Sequence, residues 1–152
     1  MNSVQIDRYN RILFYVRSFE GVTNDNCPSL ESLRDGYIFT TIYNQMTNSA
    51  NMLDTSLLKS RCETCDWLHC AFNLSKLYSH IKPEFELLGI YYPINLFKIA
   101  KNGDLEQICA FIKMLLRYSL KCPKKEEFEQ KFRSLPTLNQ VAVLLGIKIN
   151  QS

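Results

Sequence analysis

Residues Gly103 to Lys131 read GDLEQICAFIKMLLRYSLKCPKKEEFEQK, and the spacing within them decides the fold. Leu105, Ile108, Cys109, Ile112, Leu115 and Leu116 recur at the i, i+3, i+4, i+7 separation of a helix. Gly103 suits the end of a preceding helix, Asp104 the cap of this one, and Pro123 prevents its continuation. Glu106, Ala110, Lys113, Arg117 and Lys121 form the facing stripe, so one side is expected in a core and the other in water. Such a segment is structural: its task is to hold other helices.

Outward from it, the chain is helical by the same criterion. Tyr9, Ile12, Leu13, Val16 and Phe19 predict a first helix over residues 4 to 19. Gly21 to Pro28 is a loop by composition, and Ser29 to Leu33 a short turn. Asp35-Gly36 opens a second helix, with Ile38, Phe39, Ile42, Tyr43 and Met46 on one face. Thr47 to Asn51 breaks it, and Met52 to Lys59 reads as another short helix. A longer one, Glu63 to Ile81, turns Trp67, Ala71, Leu74, Leu77, Tyr78 and Ile81 inward, and Pro83 either stops it or starts the next. Residues 83 to 93 are aromatic-rich, with a brief strand at Gly89 to Tyr92 left open. Asn95 to Lys101 precedes the central helix. Lys124 to Ser134 follows it with Phe128 and Phe132 four apart, and Thr137 is placed to cap the last helix. The expectation is an all-α single domain over 1–152, with a core over about 4–122 and C-terminal helices over 124–149.

Composition agrees. A chain of 152 residues, 46% apolar and 22% charged, is globular and large enough to bury about 70% of its unfolded surface. A net charge of +3 permits an acidic partner without requiring one. The N-terminus shows no apolar h-region, and no run reaches the roughly 18 apolar residues of a membrane span. Six cysteines without a signal read as reduced, mostly core thiols of the cytosol or nucleus, and a cytoplasmic protein is expected. Asn73-Leu74-Ser75 then has no role as a glycosylation site.

Cys62-x-x-Cys65 with His69 and Cys70 is the one apparent metal constellation. Zinc takes four N or S ligands, commonly from two such pairs, and a second pair is missing. Ligand count therefore favours small apolar side chains beside Trp67, and no cofactor is expected. His69 and His80 are about 16 Å apart along one helix, too far to share a catalytic centre. The five glycines are too scattered for a phosphate-binding loop, and the chain reads as a non-enzyme.

Two surfaces carry the functional expectations. In the last segment, Leu138, Val141, Ala142, Leu145 and Ile149 cluster on one side, and Gln140, Val143, Leu144 and Ile147 on the other. A terminal helix needs one apolar side; the second is either sandwiched in the core or open as a groove for a partner helix. Lys113, Arg117 and Lys121, joined by Lys124, Lys125 and Lys131, form a basic stripe that is either a solvated face or a contact for acidic tubulin tails. The aromatics follow the core pattern instead of interleaving with basic residues, which disfavours nucleic acid.

In order and spacing the chain resembles the calponin-homology-like N-terminal domain of the Hook and NuMA families. Ile12 to Phe19 is similar to the family's first helix, and Leu33-Arg34-Asp35-Gly36 to its L-x-D-G turn. Trp67 followed by Asn73-Leu74 and Lys76 resembles a Hook pattern, as do Ile99-Ala100 with Asp104-Leu105, and Leu115-Leu116 with Cys122 and Lys125. Tyr37-Ile38-Phe39 with Ile42, Met114 to Leu116 with Tyr118-Ser119, Glu127 to Glu129 with Lys131, and Ala142 to Leu145 look nearer NuMA, which tips the expectation toward a spindle protein. The resemblance implies a dynein-recruiting domain that docks a helix of the dynein light intermediate chain. In Hook proteins a Gln, a Met and an Ile of the last helix make that contact; the matching positions are Gln140, Leu144 and Ile147. Leu replaces Met here, and Pro136 and Gly146 depart from an uninterrupted helix. It also implies dimerisation through a downstream coiled coil, and work at spindle poles, cell cortex or centrosome. A Hook-type cargo adaptor, or direct microtubule binding, is the alternative.

Overall fold

A computed structural model describes residues 1–59 and 66–145 and shows seven α-helices among them. They are α1 (Ser3–Arg17), α2 (Tyr37–Met46), α3 (Trp67–Leu87), α4 (Leu96–Asn102), α5 (Leu105–Ser119), α6 (Lys125–Arg133) and α7 (Thr137–Leu145). Three short 3-10 turns, Leu30–Asp35, Ser49–Asn51 and Thr55–Leu57, join the first three helices. No strand occurs among the described residues, Gly89 to Tyr92 included.

The central helix forms where its caps predict. Gly103 takes φ +59° to close α4, and the Asp104 side chain accepts the Gln107 amide at 3.1 Å to start α5. Its burial, however, is not one-sided. Phe111, Met114 and Tyr118 are buried as well as Ile108, Ile112 and Leu115, leaving Glu106 and Arg117 exposed. α2, α4, α6 and α7 all pack on it, so α5 is the axle of the fold. Phe39 of α2 stacks on Phe111 at 4.1 Å, and Phe85 of α3 on Tyr118 at 4.6 Å.

Those ring contacts explain why α3 runs through Pro83 to Leu87. Ile81 and Phe85 are buried on either side of the proline, which itself is exposed. Glu84 accepts from Tyr43 Oη at 2.6 Å and also from Tyr118 Oη. Together these hold a turn that a proline would otherwise end. The expected start of this helix at Glu63 lies outside the described residues; the described part begins at Trp67 under an Asp66 cap.

Two stretches distant in sequence meet at the heart of the molecule. Gly36, at φ +82°, closes the Leu30–Asp35 turn, and a Cβ there would lie 3.2 Å from Asn73 Cβ. Only glycine allows that left-handed turn to press on α3 so closely. Asn73, buried, donates through Nδ2 to Asp35 O at 2.9 Å and Lys59 O at 3.2 Å, and accepts from Lys59 N at 2.6 Å. Arg34 donates to the carbonyls of Ala100 and Lys101, tying the same turn to the C-terminus of α4.

Candidate partner-docking surface

α6 and α7 close the fold against α1. Phe128 stacks on Phe19 and Phe132 meets Tyr15 edge-on, both at 5.8 Å. The Lys131 ammonium lies 4.9 Å from the Phe19 ring and donates to Ser18 O at 3.0 Å. α7 begins at Thr137 itself, because the Pro136 carbonyl already accepts the Gln140 amide at 3.1 Å.

The inward face of α7 is Asn139, Ala142 and Val143. Asn139 Oδ1 accepts from Arg11 Nη1 at 2.7 Å, a part-buried polar contact on the same face as buried Ala142 and Val143. Leu138, Val141 and Leu145, expected inward, are therefore outward: Leu138 is 62% exposed and Leu145 48%. Val143, expected on the open face, is buried. Gln140 is half-buried, and its amide donates to Leu135 O at 2.9 Å and Arg133 O at 3.1 Å, fastening the α6–α7 corner. Leu144, expected on the open side, is 43% exposed. Gly146, Ile147 and Ile149 lie outside the described residues. The open apolar surface is thus Leu138, Val141, Leu144 and Leu145, rotated by about one residue, or 100°, from the expected groove.

The basic stripe is engaged with the chain's own polar groups. Arg117 Nε donates to Tyr92 Oη at 3.1 Å, Lys121 Nζ to Leu88 O at 2.8 Å, and Lys124 Nζ to Gln45 O at 3.2 Å. Lys113 is half-buried and Lys125 exposed. These side chains pin the α5–α6 turn to α2 and to the loop after α3, and sequence spacing alone could not reveal those acceptors.

Of the metal constellation, Cys62 and Cys65 lie outside the described residues. Cys70 is buried and its thiol is pushed above the usual range by desolvation, partly offset by the nearby Arg34, while His69 is exposed with Nδ1 3.9 Å from Asp66. His80 pairs instead with the Asn51 carbonyl at 2.6 Å and meets the Tyr43 ring edge-on. No described helix is long and apolar enough to cross a membrane.

The fold is that of an all-α, calponin-homology-like domain of Hook type. It is similar to the solution structure of the conserved domain of the mouse HOOK1 protein, with a TM-score of 0.76 at 20% identity, covering 93% of this chain and 88% of that one. No protein-family model and no curated protein sequence matches the chain.

Proposed function

We propose that this chain is a non-enzymatic docking domain that recruits cytoplasmic dynein in the manner of a Hook-type adaptor. The observation that carries the reading is the outward apolar stripe of α7, on a helix fastened to α1 by Arg11 and Asn139. A helix of the dynein light intermediate chain lays its apolar side against Leu138, Val141, Leu144 and Leu145, in helix-in-groove fashion. Gln140 contributes less than its Hook counterpart would imply, since its amide already holds two carbonyls. The likeness to a Hook domain supports the adaptor reading over the NuMA-type spindle reading. Cytoplasmic location and dimerisation through a coiled coil belong to this proposal.

Titrating the light-intermediate-chain helix against the chain and its Leu144→Asp variant tests it. An anchor of this kind is worth about 2 kcal/mol, so affinity should fall about thirtyfold. Unchanged affinity in a folded variant discards the stripe. Direct microtubule binding has less support, because Arg117, Lys121 and Lys124 already serve internal acceptors. Co-sedimentation that fails on Lys121→Glu yet survives Leu144→Asp would restore it.

A further inference from the structure

A second exposed surface lies on α3 and α4. The Trp67 and Phe97 rings meet edge-to-face at 5.3 Å, and the Lys101 ammonium sits 5.4 Å from the first and 5.5 Å from the second. Leu68, next round the helix, is 58% exposed. Phe72, one turn further on, is exposed and carries the Lys59 ammonium 5.0 Å from its ring. Leu68 and Phe72 stand on the side of α3 opposite the buried Cys70, Leu74 and Leu77, and the half-buried Trp67 at the edge of that side meets exposed Phe97 of α4, so the six side chains form an apolar belt across α3 and α4 with a cation at each end.

An exposed apolar belt of this kind marks an interaction surface. Its charge selects the partner: exposed Lys76 and Lys98 flank it, against the carboxylate of Asp66, which caps α3 by accepting the His69 amide at 3.1 Å. Standing on the outer side of a helix, the anchors enter a partner instead of receiving one. That suits a bilayer, which accepts side chains one at a time, with rings at headgroup depth and lysine ammonium groups reaching the phosphates. We propose that this belt binds the surface of an anionic membrane, independently of the α7 stripe.

Sedimentation of the full chain with phosphatidylcholine vesicles, with and without phosphatidylserine, tests this. Binding is expected only with phosphatidylserine and is expected to weaken at high salt. Lys59→Ala and Lys101→Ala should each lower it about fivefold, the equivalent of about 1 kcal/mol per surface lysine. Leu68→Ser and Phe97→Ser, both at exposed positions, should lower it at least as much, and Leu144→Asp should leave it unchanged. Absence of binding at low salt, or full binding by folded Leu68→Ser and Lys101→Ala, overturns the proposal. So does capture by an acidic peptide without vesicle binding, which would assign the belt to a protein ligand.

Discussion

Replacing Asn73 by alanine should destabilise the domain more than any change of comparable size on its surface. The side chain makes three hydrogen bonds, two to carbonyls of Asp35 and Lys59 and one from the Lys59 amide, and it is 1% exposed. Each bond contributes about 1 kcal/mol net, and a buried group left unpaired costs about 1 to 3 kcal/mol. Lys59 is exposed, so water recovers part of the loss there. The sum is about 2 to 3 kcal/mol, which for a domain of this size lowers Tm by about 4 to 12 °C. Asn73→Asp should cost more at neutral pH, because it keeps the acceptor for Lys59 N–H but turns a carboxylate toward two carbonyl oxygens. Urea and thermal unfolding followed by circular dichroism measure both. A loss below about 0.5 kcal/mol in Asn73→Ala would mean that the junction of turn and helix is not where stability resides, and would refute the reasoning.

Other outcomes follow from the same contacts. Gly36→Ala should cost about 2 kcal/mol, since a side chain at φ +82° is strained and its Cβ would press on Asn73; equilibrium unfolding checks it. Arg11→Ala should leave Asn139 buried without its partner and cost about 1 to 3 kcal/mol, with limited proteolysis showing faster cleavage after α6. Tyr43 and Tyr118 have phenol pKa values raised above the ordinary 10.0, first by burial and then by hydrogen bonding to Glu84. The folded state therefore holds these protons more tightly than the unfolded chain. Their stabilisation is complete below about pH 10 and is lost as pH rises above it. Tyr118→Phe should make that alkaline decline shallower in a pH series of unfolding midpoints.

Periodicity was enough to find most helices, because each buries an apolar face at 3.6-residue spacing. It was least informative where polar residues go inside. Asn139 carries no apolar signal, yet it lies inward bonded to Arg11, and α7 is turned by about one residue from the expected rotation, exchanging buried for open positions. The basic stripe on α5 suggested a wet face, whereas Phe111, Met114 and Tyr118 beside it are buried by α2, α3 and their neighbours. The L-x-D-G turn and the Asn73-Leu74 pair were each legible as motifs. That one packs against the other depends on tertiary geometry, which explains both residues at once. The open side of α7 was half legible: Leu144 is exposed, while Val143 is turned inward by the same rotation.

The most direct test of the central claim is an amide chemical-shift map of the isotope-labelled chain, titrated with the light-intermediate-chain helix. Docking on the outward stripe predicts saturable shifts concentrated at 136–145 and the facing part of α1. Shifts confined to α3 and α4, or none at saturating peptide, would contradict it.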